Sequence, residues 1–96
     1  MIDHVIQNVG RNPNDIDTRG VILMRLGRFD EAIQELKWVV QAEPTGVHYY
    51  HLAHAYRKAG RDAEFRKARE QMQQAGLTVA DLDPDERTEF EALMKL

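Results

Sequence analysis

The sequence contains no cysteine and no serine. Without cysteine there are no disulfide bonds and no thiolate metal ligands, and the two residues together include the commonest catalytic nucleophiles. No apolar run approaches the roughly 20 residues that cross a bilayer. The opening residues, MIDHVIQNVG, lack the cationic start and apolar stretch of a secretory signal. We therefore expect a cytoplasmic protein without a membrane partner.

An excess of basic charge is also missing. The chain has 16 acidic and 13 basic residues, for a formal net charge of −3. Domains that bind nucleic acid normally carry a basic excess on one face, so we expect no nucleic-acid partner. With 96 residues, of which 43% are hydrophobic and 30% charged, the composition is that of one soluble globular domain with a modest core.

Signals for β-strands are absent as well, since there is no alternating β-branched run and no Asn-Gly turn. The chain is therefore predicted to be all α. Glycines follow helix-like segments, as C-terminal caps do, and prolines stand where helices start or stop. This punctuation predicts about six helices, over residues 2–9, 13–26, 29–42, 46–60, 62–75 and from 84 onwards.

Polar residues that can cap helices precede three of these segments. Asn12, Thr45 and Asp83 are predicted to accept hydrogen bonds from the first turns of their helices. In the last helix, Glu86 is expected to reach back to the backbone N–H of the cap. Each helix also carries an apolar stripe at helical spacing. In the fourth helix the predicted core stripe is Tyr49, Leu52, Ala53 and Tyr56. The stripes of the third and fifth helices are Ala32, Ile33, Leu36, Val39 and Val40, and Phe65, Ala68, Met72 and Ala75.

An internal repeat relates the two central helix pairs. The segment Leu23–Arg28, LMRLGR, matches Tyr56–Arg61, YRKAGR, at an offset of 33 residues. The same offset places Gly20 on Ala53 and Ile16 on Tyr49, so a small residue and a large residue keep their register. A period in this range, with two helices in each unit, is typical of a helical solenoid.

On these residues the chain resembles the tetratricopeptide repeat (TPR) family. The most specific segment is RLGRFDEAI, and the second unit contributes Tyr49, Leu52, Ala53, Tyr56 and Gly60. The resemblance implies a right-handed α-α superhelix forming one domain over 1–96. Its parts would be a leading half-repeat helix (1–11), repeats at 13–45 and 46–76, and a loop with a C-terminal capping helix (77–96). Arg19, Asp62 and Phe65 depart from the family pattern.

In the resembled family the first helix of each unit lines a concave face. This implies a partner-binding face made of Asp17, Val21, Met24, Arg25, Tyr50, His54, Arg57 and Lys58. We therefore expect a protein–protein interaction module, not an enzyme, that binds a peptide or a partner helix without a cofactor. On a helical wheel, Tyr50, His54 and Arg57 form a stripe separate from the core stripe, so these three are expected to be exposed.

The histidines offer a second interpretation. His48–His51 and His51–His54 are i, i+3 pairs, but His48 and His54 lie about 120° apart on the wheel, so the three cannot converge on one metal ion. We expect surface histidines and no metal. The acidic residues Asp81, Asp83, Asp85 and Glu86 could bind calcium or act in acid–base chemistry, although helix capping explains most of them.

Self-association is the third interpretation. Two repeats are fewer than the three or so that such stacks need. Either the flanking helices complete the stack, or two chains share an end surface, or the chain belongs to a longer array. The leading helix would contribute Ile2, Val5, Ile6 and Val9 to an exposed apolar end, which favours a homo-oligomer or a longer protein.

Overall fold

The computed structural model describes residues 12–95. Within this range the chain forms five α-helices and a single 3₁₀ turn at Val79–Asp81, and no strand. The helices are α1 (Pro13–Arg25), α2 (Phe29–Ala42), α3 (Gly46–Lys58), α4 (Asp62–Gln74) and α5 (Pro84–Met94). The prediction of an all-α chain is confirmed. The predicted leading helix, and with it Ile2, Val5, Ile6 and Val9, lies outside the described residues.

Two of the three predicted caps are present. The side chain of Asn12 accepts a hydrogen bond from the backbone N–H of Asn14 (2.9 Å), and Thr45 Oγ1 accepts one from His48 N–H (3.2 Å). The prediction for α5 holds in part. Pro84 opens that helix, and the Glu86 carboxylate interacts with the backbone of Asp83 as well as with α3. The Asp83 side chain, however, makes no capping hydrogen bond.

The turn that joins α1 to α2 recurs between α3 and α4. Gly27 (φ +81°) and Gly60 (φ +75°) take the left-handed conformation, which glycine adopts without steric cost. Arg28 N–H then bonds to Leu23 O and Arg61 N–H to Tyr56 O, both at 2.9 Å. The second bond is the first one repeated 33 residues later, so the sequence repeat corresponds to a repeated helical hairpin.

The two hairpins share one core. Helix α3 packs against both α1 and α2 as well as against its own partner α4. The apolar stripe predicted for α2 is buried, as predicted for Ala32, Ile33, Leu36, Val39 and Val40. In α4, Phe65, Ala68 and Met72 of the thinner predicted stripe are buried too, whereas Ala75, predicted for the same stripe, follows the helix and is exposed. The hairpins therefore stack side by side, with α1 and α3 adjacent along one side of the molecule.

Small residues set the spacing of the helices at the centre of this stack. Gly20 is buried in α1, and a methyl group added to its Cα would lie 2.7 Å from Cγ and Cδ2 of Leu36. Ala53, at the equivalent place in α3, is completely buried. Both positions are buried, as the repeat predicts.

Helix α5 packs on the second hairpin. The ring of Phe90 meets the ring of Tyr50 in α3 edge to face, with centroids 5.8 Å apart. On the α4 side, an Nη1–H of Arg69 donates to the carbonyl oxygen of Leu93 (3.4 Å). Leu82, Phe90 and Leu93 are buried in these contacts. The C-terminal helix therefore lies across α3 and α4, and one of its edges faces α1.

None of the helices described between residues 12 and 95 combines the length and the apolar character needed to cross a membrane.

The contact at Gly20 yields a prediction. Replacing a helix-interior glycine with alanine normally stabilises a helix by up to about 1 kcal/mol. Here the added methyl would collide with Leu36, and overpacking costs about 1–3 kcal/mol. We expect Gly20→Ala to lower the free energy of unfolding by about 1 kcal/mol in urea titrations followed by circular dichroism. Thr18→Ala, on the exposed face of the same helix, is the control and should cause no such loss; a more stable Gly20→Ala protein would contradict the close approach.

Candidate functional site

Helix α3 carries the aromatic and histidine side chains that the sequence singled out, and most of them are buried. Tyr50 is only 1% exposed, while Tyr49, predicted for the core, is half-buried. His48, His51 and His54 are all buried. The predicted exposure is therefore wrong for Tyr50 and for the three histidines, whereas Arg57 is exposed as predicted. The physical reason is α5, which covers this face of α3.

His51 joins three helices through its two ring nitrogens. Its Nδ1–H donates to Oδ1 of Asp17 in α1 (2.8 Å), and its Nε2–H donates to Oε2 of Glu86 in α5 (2.5 Å). Both acceptors are carboxylates, so the imidazole is held in the doubly protonated, cationic form.

The pKa values of these groups follow from the geometry. Burial disfavours the charged form of His51, but the hydrogen bonds and charges of Asp17 and Glu86 outweigh it and raise its pKa to about 9. The hydrogen bond from His51, helped by the charge of Arg25, holds the pKa of Glu86 below its usual value despite partial burial.

His54 sits one turn further along α3 in a different electrostatic setting. Its Nε2 lies 3.1 Å from Oε2 of Glu89 in α5. Burial lowers its pKa, and the positive charges of Lys58, His51 and Arg25 lower it further, against the opposing charge of Glu89. His54 is therefore kept neutral at pH 7, next to a cationic His51.

Tyr50 and His48 have structural hydrogen bonds. The Tyr50 hydroxyl donates to the carbonyl oxygen of Glu86 (3.3 Å), and its pKa is raised by burial and by the nearby carboxylates of Glu89 and Glu86. His48 Nδ1 donates to the carbonyl oxygen of Glu43 at the α2–α3 junction (2.8 Å). Tyr50 thus helps to seat α5, whereas His48 belongs to the scaffold.

A pocket of about 350 Å³ opens where α1, α3 and α5 meet. Its lining is half apolar and half charged. The apolar side chains are Val21, Met24, Phe29 and Tyr50; the cations are Arg25 and Lys58; and His51, His54, Glu86, Glu89 and Gly27 complete the wall. We call this cavity the α1–α3–α5 pocket.

The two cations of the pocket are available to a ligand. Arg25 and Lys58 are exposed, and neither forms a hydrogen bond or an ion pair with any residue between 12 and 95. The carboxylates on the opposite wall are engaged, Glu86 by His51 and Glu89 by His54. The pocket therefore presents an apolar floor beside two unpaired positive charges.

Most of the predicted partner-binding residues meet in this pocket. Six of the eight line it, namely Val21, Met24, Arg25, Tyr50, His54 and Lys58. Asp17 does not, because it is buried against His51. Arg57 points elsewhere, since its guanidinium lies 3.5 Å from Asp62 and lines a separate hollow on α4. Asp17 and Arg57 therefore lie apart from the other six predicted residues.

Sequence reasoning missed five residues of the pocket, which are Gly27, Phe29, His51, Glu86 and Glu89. His51 was placed too far round the helix, and Glu86 was taken as a capping residue. The only signal available was the i, i+3 spacing of Glu86 and Glu89, which puts two acids on one face of a helix. Nothing in the sequence says which helix that face meets.

Metal binding gains no support from the donor set. In the part of the chain that the structure describes, no three His, Asp or Glu side chains are grouped so that they could hold one metal ion. Both nitrogens of His51 are occupied by carboxylates, so it presents no free base to a substrate. The acidic residues near α5 are dispersed: Asp81 accepts from Thr78 (3.0 Å), while Glu86 faces α3.

Comparison of the chain with protein-family models, curated proteins and solved structures found no match in any of the three.

The charge on His51 predicts a pH dependence of stability. Its pKa is about 9 in the fold and about 6.5 in an unfolded chain, so the folded state binds the proton more tightly. The stabilisation is complete below about pH 6.5 and is lost as the pH rises through 9. The difference of about 2.5 pH units corresponds to about 3 kcal/mol.

We expect the free energy of unfolding to fall by about that amount between pH 6.5 and 9.5 in the wild-type chain and to change much less in His51→Gln. Chemical denaturation at a series of pH values measures both curves. His54 does not interfere, because its lowered pKa confines its effect to pH below about 6.5. Parallel curves for the two proteins would show that His51 is not held as a cation.

Proposed function

We propose that this chain is a non-catalytic protein-interaction module of the tetratricopeptide type, which binds a peptide or a partner helix in the α1–α3–α5 pocket. The single observation that carries the proposal is that apolar side chains line this pocket together with the cations Arg25 and Lys58, which no residue between 12 and 95 pairs. Peptides are recognised by such a combination, since apolar side chains supply affinity and charge-assisted hydrogen bonds fix register.

The repeated hairpin supports the family part of the proposal. Gly20 and Ala53 are both buried, 33 residues apart. Around the turns, the bond between Arg28 Nε and Glu31 (2.8 Å) has its counterpart between Arg61 Nε and Glu64 (2.7 Å). Backbone, small residues and surface ion pairs thus repeat together, as expected for units that derive from one structural pattern.

The non-catalytic part rests on the chemistry of the pocket. The chain has no serine or cysteine to act as a nucleophile, and the buried cationic His51 is held on both sides by carboxylates. Its ring serves to hold α1 and α5 in place. Cofactors and nucleic acid play no part in the proposal.

The test is a selection of displayed random peptides on the immobilised chain, followed by fluorescence anisotropy of the selected peptides. We expect Arg25→Ala/Lys58→Ala to weaken binding at least tenfold, because hydrogen bonds to charged groups contribute about 1.5–3 kcal/mol each.

The matched control is Arg57→Ala/Arg66→Ala, which removes the same charge from the hollow on α4 and should change affinity less than twofold. Circular dichroism should show unchanged helicity in both variants. Selected peptides that bind the pocket variant as tightly as wild type, or a selection that yields no binder, would reject the proposal.

Self-association is the second candidate function, and one observation favours it. Ile22 and Leu26, one turn apart in α1, are 53% and 66% exposed. Large aliphatic side chains on adjacent turns form the kind of apolar strip that interfaces cover. We expect a self-associating chain to dissociate on Leu26→Glu in sedimentation velocity. A wild-type chain that sediments as a monomer at high micromolar concentration would remove this candidate.

A further inference from the structure

Helix α5 occupies the face of α3 that the sequence predicts to be a binding surface. Its contacts there come in order along one face of the helix. Glu86 accepts from His51 (2.5 Å), Glu89 lies 3.1 Å from His54, and Phe90 packs edge to face on Tyr50. The chain's own C-terminal helix thus packs on the side of α3 that is predicted to bind the partner.

The side chains that α5 presents to α3 indicate the chemistry that this surface of α3 accepts. The seated face has the pattern acid, acid, aromatic and leucine at i, i+3, i+4 and i+7, in Glu86, Glu89, Phe90 and Leu93. The acids face histidines, and the positive potential of Arg25 reaches Glu86. The seat therefore fits an amphipathic helix whose apolar face is flanked by paired carboxylates.

Helix α5 is also suited to dissociate from α3. It has only 11 residues, and isolated helices of that length are marginal in water. It is joined to α4 by the connection 75–83, and its outer face is polar, with Asp85, Thr88 and Glu91 exposed. The polar links that hold it to α3 are contacts to His51, His54 and Tyr50, which an incoming acidic helix would reproduce.

We propose that α5 is a built-in competitor for the partner site, so that the partner is an acidic amphipathic helix of the same pattern, which displaces α5 from α3 and takes its place in the pocket beside α1 and α3. The inference rests on the proposed function and names the partner's chemical class. It predicts that weakening the contacts between α5 and α3 strengthens the binding of a helix that is added as a separate peptide.

The probe is a fluorescein-labelled peptide of residues 82–95, LDPDERTEFEALMK. The receptor is the full chain, either wild type or with its own α5 weakened by Glu86→Gln/Phe90→Ala. We expect the variant chain to bind the peptide at least tenfold more tightly than wild type by anisotropy. Equal affinity, or no binding to either chain, would overturn the proposal.

Two further peptides test the pattern. Glu86→Gln/Glu89→Gln in the peptide should weaken its binding at least tenfold, because it removes the two seated carboxylates. The control peptide, Asp85→Asn/Glu91→Gln, has the same change of charge on the outer face and should bind within about threefold of the original. If both peptides lose affinity equally, charge alone and not the pattern is recognised, which contradicts the inference.

Hydrogen exchange of the wild-type chain gives an answer that needs no variant to fold. Amides of α5 should exchange through local opening at least a hundredfold faster than those in the middle of α3, and equal protection would overturn the proposal. The two proposals fail differently. Peptides that bind through Arg25 and Lys58 while α5 stays protected would leave the proposed function standing and reject only the competition.

Discussion

The buried bridge from Asp17 through His51 to Glu86 is the interaction on which the pocket depends. Removing a charged imidazole from water is costly unless the charge is paired and its N–H groups are bonded. Here each ring nitrogen has a carboxylate from a different helix, at 2.8 Å and 2.5 Å. Because both bonds are short and directional, the positions of α1 and α5 are fixed relative to α3. The width of the pocket between them follows from that spacing.

Two different sets of forces hold the scaffold and the pocket. The stacked hairpins are stabilised by apolar burial and by small residues such as Gly20 that allow close approach. The junction with α5 combines buried apolar side chains with contacts of the Glu86 and Glu89 carboxylates to the cationic His51 and the neutral His54. Charged contacts are sensitive to pH and to competing ions in a way that apolar burial is not. The part of the molecule best suited to respond to a ligand is therefore its C-terminal edge.

The scaffold could be predicted almost residue by residue. Gly27 and Gly60 follow the helices that they end, Asn12 and Thr45 cap the helices that they precede, and the α2 stripe is buried. These features depend on residues close in sequence, which is why local patterns reveal them. Asp83 and Glu86 show the limit of prediction from local patterns. Their spacing predicts a capping box, but the Asp83 side chain makes no capping hydrogen bond. The Glu86 carboxylate interacts with the Asp83 backbone and also bonds to a histidine 35 residues earlier in the chain.

The candidate site likewise combines features that follow from the local sequence with features that depend on tertiary contacts. The sequence by itself determined that the chain is all α, that two hairpins repeat after 33 residues, and that α1 and α3 offer most of a common face. Only the tertiary structure decided that Tyr50 and the three histidines of α3 are buried, that Arg57 turns to Asp62, and that Glu86 and Glu89 join the pocket. The reason is that helical periodicity specifies which side chains share a face, whereas the docking of α5 decides which face remains in water.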